Sequence, residues 1–382
     1  MLLNVIAAVP LLIWIYLLFG RGGFWRVSRH LQRDLAPTPA QKRISVLIPA
    51  RDEAAGISTA VTSLLNQNLA PLHIIVIDDG SSDGTADLAR AAAQQIGKAA
   101  QLTVIAGAPL PAGWTGKLWA LAQGVQHTRS LSPDYLLFTD ADIEHRPLNI
   151  AQLIAIAEAG NYDLASYMVK LACVTSAEKA LIPAFVYFFL QLYPPPWISS
   201  QRHATAGAAG GCVLIRTEAL EQIGGIAAIR GEVIDDCALA RAVKRSGGRV
   251  WLGLTNSAAG IRSYGAFSEI GRMISRSAFN QLHHSALLLA GTVLGLFFTY
   301  LLPPLLLFTN GPVPIACGLC AWLLMSLSYL PMVRFYGRST LWSVCLPFIA
   351  VFYAGATVHS AVSYWRARGG EWKGRVQDVR VR

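Results

Sequence analysis

Residues 136–142 are Leu-Leu-Phe-Thr-Asp-Ala-Asp, a short apolar run that ends in two acids one residue apart. The apolar run is typical of a buried β-strand. Alternate side chains of an extended chain point to the same side, so Asp140 and Asp142 can converge where the strand ends. Carboxylate oxygens grouped in this way suit Mg²⁺ or Mn²⁺, which would also hold a diphosphate. The alternative is a polar loop that follows a strand by chance, and other motifs must decide.

Strands and helices alternate before this segment. Strands are predicted at 44–49, 73–77 and 102–106, and helices to about 68 and over about 86–96. Such alternation predicts a doubly wound α/β sheet, in which ligands bind beyond the carboxyl ends of the strands. Asp78 and Asp79 follow the second strand, so they are expected at the same edge as the acids at 140 and 142.

The loop at 78–85 is not a known metal or dinucleotide motif. It imitates the start of an EF-hand, but Arg90 stands where the bidentate Glu should be. No G-x-G-x-x-G follows the first strand. One interpretation is a carboxylate that accepts hydrogen bonds from a base or ribose, and the other is an Asx-turn with Asp83 or Ser82 at a helix N-cap. The two interpretations are compatible if they apply to different residues of the loop.

Three further features carry possible chemistry. Lys117 follows a Gly-bounded loop at a helix start and can reach a phosphate, although the motif is not a Walker A. Asp235 and Asp236 precede a helix predicted at 238–245, where they complement the helix dipole or supply a general base. Adjacent side chains point in different directions, so only one of the two acids is expected to face a cleft. The small residues at 207–211 form either a tight turn or a close approach for a substrate.

The composition indicates a membrane protein. Hydrophobic residues make up 53% of the chain and charged residues 14%, against about 25% charged in soluble proteins. Residues 1–20 are apolar, and positive charge follows them, which favours an uncleaved anchor over a signal peptide. Basic residues cluster at 21–43 and 366–382, where they would face the cytoplasm and anionic lipid. No recognition helix or stacking platform accompanies this charge, so nucleic-acid binding is not expected.

The membrane topology poses a conflict. Apolar segments at 285–308, 313–333 and 340–364 follow a basic amphipathic helix predicted at 268–284. With the N-terminal anchor they would make four spans and would place the basic C-terminus on the N-terminal side, against the positive-inside rule. One segment is therefore expected to be re-entrant or interfacial. The proline-broken run at 178–199 either lies on the membrane or is a buried core helix.

Five regions are predicted: an anchor at 1–20, a basic linker at 21–43, a catalytic domain at 44–284, membrane segments at 285–365 and a basic tail at 366–382. Almost no ionisable residue lies within the apolar segments, which disfavours a transporter. The CxxC at 317–320 lies within an apolar segment without a nearby histidine, so a zinc or redox site is not expected there.

In order along the chain, the motifs at 49–53, 78–81, 116–117, 140–142 and 235–236 resemble those of membrane-bound family 2 glycosyltransferases, which have the GT-A fold. The resemblance covers about 44–280. The flanking apolar segments, together with residues 232–239 and 272–282, are similar to the subgroup of hopene-associated glycosyltransferases.

The resemblance implies transfer of a sugar from a nucleotide-diphosphate donor, with a UDP-sugar favoured, to a membrane lipid, with hopanoid metabolism as one setting. It also implies a multi-pass protein of the bacterial inner membrane with a cytoplasmic catalytic domain. The Q-x-x-R-W motif of processive enzymes is absent, which favours single transfers. Polyprenyl-phosphate or other glycolipid transfer is an alternative. A nucleotidyltransferase, which would release pyrophosphate, is another.

The resemblance also implies roles for individual residues. Asp142, helped by Asp140, would hold Mg²⁺ or Mn²⁺ on the diphosphate. Asp236 would be the catalytic base, and Asp235 stands beside it where the family usually has Glu. The residues implied in donor binding, besides Asp140, are Pro49, Glu53, Asp78, Asp79 and Lys117.

Overall fold

The computed structural model describes residues 2–31, 42–69, 72–372 and 375–378. The described chain forms two compact units. The sheet unit comprises His30–Ala172 and Trp197–Arg262, and the helical unit comprises Met1–Arg29, Cys173–Pro196 and Ser263–Arg382. Parts of the predicted basic linker, 32–41, and of the predicted basic tail, 373–374 and 379–382, lie outside the described residues. The five predicted regions stay a prediction.

The strands are β1 (Ile44–Ala50), β2 (His73–Asp78), β3 (Leu102–Ala106), β4 (Tyr135–Phe138), β5 (Ile143–His145), β6 (Leu164–Lys170), β7 (Val213–Arg216), β8 (Val250–Gly260), β9 (Gly369–Trp372) and β10 (Arg375–Asp378). The helices are α1 (Leu2–Phe19), α2 (Val27–His30), α3 (Ile57–Leu65), α4 (Thr85–Gln95), α5 (Gly116–Thr128), α6 (Asn149–Gly160), α7 (Ser176–Leu192), α8 (Pro195–Ser199), α9 (Thr217–Gln222), α10 (Asp235–Arg245), α11 (Phe267–Ala278), α12 (Ala286–Leu296), α13 (Leu302–Leu306), α14 (Pro312–Phe335) and α15 (Leu346–Trp365).

The sheet unit is built on a mixed sheet with the strand order β3-β2-β1-β4-β7-β6-β8-β5. The strands from β3 to β4 are parallel, and β7 is antiparallel to both of its neighbours. Every residue of β1 is buried, as expected for a strand whose two faces are both covered. The predicted doubly wound α/β sheet is therefore confirmed, with antiparallel strands added on one side.

The strand register brings the predicted acids to one edge. Ala50 pairs with Asp78, and Leu47 pairs with Phe138, so β1, β2 and β4 end on the same side of the sheet. Helix α10 begins at Asp235, three residues earlier than the sequence predicts. Both acids therefore belong to its first turn, where carboxylates interact favourably with free backbone N–H groups.

The helical unit contains four helices that are long and apolar enough to cross a membrane, counting only the described residues: Leu2–Phe19, Ala286–Leu306, Pro312–Phe335 and Thr340–Trp365. Helix α7 packs in the same unit against α11, α14 and α15. It starts with a capping box formed by Thr175 and Glu178. One face of α7 is buried. Of the two alternatives for residues 178–199, a core helix therefore describes α7 better than a helix that lies on the membrane.

Helix α12 runs antiparallel to both α14 and α15. The continuation of α12, α13, forms a hairpin with α14 in which Gly318 meets the backbone of Pro303. At the other end of α12, Leu289 packs with Ala361, close to the end of α15. Helices α14 and α15 must therefore run in the same direction.

The segment between α14 and α15 explains this shared direction. Val344, just before α15, accepts a 3.0 Å hydrogen bond from the indole of Trp322, in the middle of α14. The chain thus returns alongside α14 before α15 starts. Two consecutive complete spans run in opposite directions, whereas α14 and α15 run in the same direction. The chain before α15 therefore enters the bundle from the side at which α14 ends.

Candidate active site

A hollow opens at the carboxyl edge of the sheet unit, and we call it the acid-lined hollow. Its lining residues are Pro49, Lys117, Leu118, Leu121, Phe138, Thr139, Asp140, Gly210, Val213, Ile226, Ile229, Asp235, Asp236 and Leu239. Four charged residues, from α5, α10 and the segment after β4, meet there above apolar side chains. Five of the nine residues singled out from the sequence therefore contribute to one place.

Lys117 forms ion pairs with an acid that follows β4 and with an acid of α10. Its ammonium lies 2.9 Å from Oδ1 of Asp140 and 3.1 Å from Oδ2 of Asp235. Burial lowers the pKa of Lys117, but the carboxylates of Asp140, Asp235 and Asp236 raise it more, so the pKa is above its ordinary value. The side chain therefore remains charged at neutral pH and connects the acid after β4 to the acids of α10.

Asp236 is held by backbone amides. Its Oδ2 accepts a 2.7 Å hydrogen bond from the amide of Gly210, and its Oδ1 accepts one of 2.7 Å from the amide of Cys237. A Cβ on Gly210 would lie 3.2 Å from Nζ of Lys117 and 3.4 Å from Oδ2 of Asp236. The glycine thus allows both charged groups to approach the backbone closely.

The electrostatic environment raises the proton affinity of Asp236. Burial and the neighbouring carboxylate of Asp235 raise its pKa, while Lys117 and the two amides oppose the rise. A carboxylate with a raised pKa is a better base than an ordinary one. Both Asp235 and Asp236 line the hollow. The expectation that only one of them faces a cleft is wrong. Lys117 pairs with Asp235 and the amide of Gly210 donates to Asp236, so both acids of the first turn of α10 point toward the hollow.

Asp142 lies in a region of excess negative charge. Burial and the carboxylates of Asp140 and Glu53 raise its pKa to about 6, and Arg262 opposes this effect. The loop that carries Glu53 is close, since a Cβ on Gly56 would lie 3.2 Å from the carbonyl oxygen of Ala141. Oxygen ligands with surplus negative charge fit a hard divalent cation.

Few side chains at this edge could serve as metal ligands. Among the described residues, no group of three or more His, Cys, Asp or Glu side chains could hold a metal ion. Mg²⁺ commonly uses one or two carboxylates and completes its shell with water and phosphate oxygens. The pair at Asp140 and Asp142 therefore fits a cation that is bound together with a diphosphate.

Asp78 and Asp79 have different environments. Oδ1 of Asp78 accepts a 3.1 Å hydrogen bond from the amide of Ser81, which is the local turn that the sequence offered as the alternative. Asp79 is almost fully buried, with an exposed fraction of 5%. Arg51 donates to the carbonyl oxygen of Asp79 at 2.6 Å and lies 3.8 Å from its carboxylate. Asp78 thus shapes the loop, while Asp79 is positioned beside a cation.

The loops after β1 and β2 hold each other. The amide of Ala54 donates to Asp83 at 2.9 Å, and the amide of Ser82 donates to Asp52 at 2.8 Å. The amide of Glu53 donates to the hydroxyl of Thr85 at 2.8 Å. Asp83 therefore links two loops, and the N-cap of α4 is Gly84, without a side-chain cap. These hydrogen bonds hold the loop that carries Glu53 against the loop that follows Asp79.

The structure adds residues that sequence reasoning missed. Arg51 contacts Asp79, and Arg262 influences the pKa of Asp142. Lys244 donates to three carbonyl oxygens of the chain that leads to Gly210. The sequence carried no signal for these contacts, because each joins residues far apart in the chain.

Residues 45–224 match the family model described as glycosyl transferase family 2. The undecaprenyl-phosphate 4-deoxy-4-formamido-L-arabinose transferase of Serratia proteamaculans is 32% identical over 126 residues, which are 32% of this chain and 36% of that one. The 4,4'-diaponeurosporenoate glycosyltransferase of Staphylococcus haemolyticus is 37% identical over 101 residues, which are 26% of this chain and 24% of that one. The chain thus spans about a third or less of the length of these curated relatives.

One solved structure matches nearly the whole chain. It is the mannosyltransferase PcManGT of Pyrobaculum calidifontis in complex with GDP-Man and Mn²⁺, with a TM-score of 0.53 and 19% identity. The match covers 94% of this chain and 98% of that one. At this identity the likeness shows a shared fold, the GT-A fold. By sequence, residues 45–224 are therefore similar to glycosyl transferase family 2.

Proposed function

We propose that the protein transfers a single sugar, with inversion, from a nucleoside-diphosphate sugar to a hydroxyl group of a membrane lipid. The observation that carries the proposal is the ion pair of Lys117 with both Asp140 and Asp235. It brings the acid beside the proposed diphosphate site and the acids of α10 into one hollow. A transferase needs these groups together, because leaving-group stabilisation and acceptor deprotonation occur in the same transition state.

Asp236 is the proposed base. It takes the proton of the acceptor hydroxyl, whose oxygen forms a bond to C1 of the sugar while the bond from C1 to the diphosphate breaks. The nucleoside diphosphate leaves with the bonding electrons. Lys117 offers positive charge beside the departing phosphate and holds Asp235 in place.

Asp142 and Asp140 are the residues that would hold Mg²⁺ or Mn²⁺. When bound, the ion would neutralise the charge that develops on the diphosphate. Asp79, Glu53, Asp78 and Pro49 are the proposed contacts of the nucleoside side. A UDP-sugar is the favoured donor.

The charge of the hollow favours a neutral acceptor. Lys117 supplies one positive charge against the carboxylates of Asp140, Asp235 and Asp236. A phosphate acceptor is already ionised, whereas a hydroxyl needs a base such as Asp236 to remove its proton. A hydroxylated polycyclic lipid such as a hopanoid fits this requirement, and the resemblance of residues 232–239 to the hopene-associated subgroup supports it. The relative from Serratia, named for transfer to undecaprenyl phosphate, supports the phosphorylated-lipid alternative.

The membrane setting is also part of the proposal. The positive charges that follow α1 favour a multi-pass protein of the bacterial inner membrane with the sheet unit in the cytoplasm. The four candidate spans of the helical unit agree with this setting. A lipid acceptor would then be available from the same membrane.

The test is release of nucleoside diphosphate by the full-length protein in lipid nanodiscs. Donors are UDP-sugars and GDP-sugars, with and without Mn²⁺, and acceptors are a hydroxylated lipid fraction or polyprenyl phosphate. We expect nucleoside diphosphate and a glycosylated lipid, with much slower release by Asp236→Asn. Asp134→Asn is the matched control, because this acid precedes β4 and pairs with Arg43. Release of pyrophosphate would overturn the proposal in favour of a nucleotidyltransferase, and glycosylation of polyprenyl phosphate alone would overturn the hydroxyl acceptor.

A further inference from the structure

The segment 200–212, which leads into β7, is attached to helix α10 near the start of that helix. The amide of Gly210 donates to Asp236 at 2.7 Å, and the thiol of Cys237 lies 3.6 Å from the carbonyl oxygen of Ala208. We call this segment the 200–212 loop. One end of the loop therefore holds the proposed catalytic base.

Lys244 forms a second attachment at the other end of α10. Its ammonium donates to the carbonyl oxygens of Trp197 at 3.0 Å, Ile198 at 2.7 Å and Thr205 at 2.7 Å. An ammonium has three N–H donors, so all of them are used. Lys244 follows Asp236 by eight residues, which corresponds to about 12 Å along a helix. The loop is thus held at two separate points of one helix.

The charge of Lys244 has no acidic partner in the described part of the chain: no carboxylate lies within 4 Å of it, and burial lowers its pKa. Keeping a partly buried cation without a carboxylate is costly unless its donors are satisfied. Here three backbone carbonyls satisfy them. The three hydrogen bonds, which an apolar side chain of the same length could not form, are therefore the distinctive property of Lys244.

The middle of the loop has little other support. Residues 201–204 are exposed, and Trp197 stacks on His203 with ring centroids 4.8 Å apart. Gln201 donates to the carbonyl oxygen of Gly248 at 3.1 Å. Segments with few buried contacts open at low free-energy cost. Between the exposed residues and Gly210, the loop contacts Lys244 at Thr205, Cys237 at Ala208 and Ser166 at Ala209. Of these contacts, the one at Thr205 lies nearest to the exposed residues.

We infer that Lys244 is a positioning residue, which holds the 200–212 loop on α10 so that Gly210 presents its amide to Asp236. Its kinetic consequence rests on the proposed function, whereas its effect on the loop does not. Without Lys244 the loop would keep its contacts from Ala208 to Gly211 but would lose the one at Thr205. The exposed half of the loop would then move more freely, and the hydrogen bond that orients the carboxylate of Asp236 would break more often.

The first experiment measures the loop itself by hydrogen exchange of the full-length protein in nanodiscs. Lys244→Met should increase exchange in peptides that cover 207–211 by about tenfold and should speed trypsin cleavage after Arg202. Lys244→Arg, which keeps several donors, should restore most of the protection. Lys98→Met is the matched control, because Lys98 donates to the carbonyl oxygen of Leu65 at 2.5 Å, on the side of α3. Unchanged exchange at 207–211 in Lys244→Met would overturn the inference.

The second experiment measures nucleoside-diphosphate release. We expect Lys244→Met to lower kcat about tenfold with the KM for the donor unchanged, and Lys244→Arg to recover most of kcat. A loss that appears in the KM for the donor, or that Lys98→Met reproduces, would reduce Lys244 to a general structural role. If Lys244→Met does not fold, Lys244→Gln replaces it in both experiments. If the unsubstituted protein releases no nucleoside diphosphate, the proposed function fails, while the exchange experiment still decides the role of Lys244.

Discussion

Lys117 lies 3.1 Å from Oδ2 of Asp235, and this contact connects the first turn of α5 to the first turn of α10. The same ammonium lies 2.9 Å from Asp140 at the end of β4. One cation therefore fixes the distance between acids that come from opposite sides of the hollow. If Lys117 were removed, three carboxylates would repel one another without compensation.

Lys117→Met should lower the rate of nucleoside-diphosphate release by about 10²-fold or more, the scale for loss of one preorganised charge in an active site. Lys117→Arg should recover part of the rate, because it keeps the charge but not the compact geometry. Lys98→Met, on the other side of the sheet unit, should remain active. A fully active Lys117→Met would show that the ion pairs serve the fold alone.

The two acids of α10 can be separated by substitution. Asp236→Asn should lower turnover by about 10²-fold, the contribution of general-base assistance, with donor affinity almost unchanged. Because Asp235 also lines the hollow and holds Lys117, Asp235→Asn should be impaired as well, but less severely. Turnover and direct donor binding are the measurements, with Asp134→Asn as the control. An active Asp236→Asn beside an inactive Asp235→Asn would assign the base to Asp235.

Asp142→Asn should abolish the Mn²⁺-dependent part of donor binding while the protein still folds. The carboxylate lies among other negative charges, and a cation relieves this repulsion only if the oxygens are ionised. Asp79→Ala should weaken donor binding with and without Mn²⁺. Calorimetric titration with donor checks both variants. Unchanged metal-dependent affinity in Asp142→Asn would remove the proposed ligand role.

Sequence patterns were informative wherever the signal was local. The alternation of apolar runs predicted β1 to β4, and the acids at 140–142 and 235–236 came from strand-end and helix-start positions. Long-range contacts were not predictable. Nothing near Lys117 indicates that it reaches Asp235, and nothing near Gly210 indicates that its amide meets Asp236.

The membrane segments show the same limit. Hydropathy located them, but the direction of each helix depends on its neighbours. The pairing of Trp322 with Val344 and the packing of Leu289 with Ala361 reveal that α14 and α15 run the same way. Apolar composition is the same for a span and for a re-entrant helix. The sequence therefore showed the conflict with the positive-inside rule but not which segment causes it.

His145 should make stability depend on pH. It is buried, and its ring nitrogens lie 3.0 Å from the hydroxyl of Thr139 and 2.9 Å from the amide of Asn149. Burial lowers its pKa from 6.5 to about 4. The unfolded chain therefore binds a proton that the folded protein does not, between about pH 6.5 and about pH 4.

The contribution of His145 to stability is fully present above pH 6.5 and is lost as the pH falls toward 4. The loss amounts to up to about 3 kcal/mol in the free energy of unfolding. The unfolding temperature of the full-length protein in detergent should decrease as the pH is lowered over this range. His145→Gln should show a smaller decrease, whereas the exposed control His203→Gln should behave like the unsubstituted protein. Equal pH dependence in all three proteins would contradict the assignment to His145.

The direction of α15 predicts the location of the C-terminus. If α15 enters from the side at which α14 ends, the basic residues after Trp365 lie on the same side as Arg21 and Arg338. The positive-inside rule then holds for every basic cluster. Four complete spans would instead place the C-terminus on the opposite side, with the turn between α13 and α14.

Single cysteines at three positions distinguish these arrangements, in a background without the natural cysteines. A membrane-impermeant maleimide added to intact cells should label a cysteine at Asn310, in the turn between α13 and α14. It should not label one at Ser339, which follows α14 and, in the proposed orientation, is inside for both arrangements. The position that decides is Arg368. Protection of a cysteine there, lost when the cells are opened, is expected for a re-entrant α15, because both ends of that helix then belong to the cytoplasmic side. Labelling at Arg368 as rapid as at Asn310 would mean that α15 crosses the membrane completely, and the direction derived from Trp322 and Val344 would be wrong.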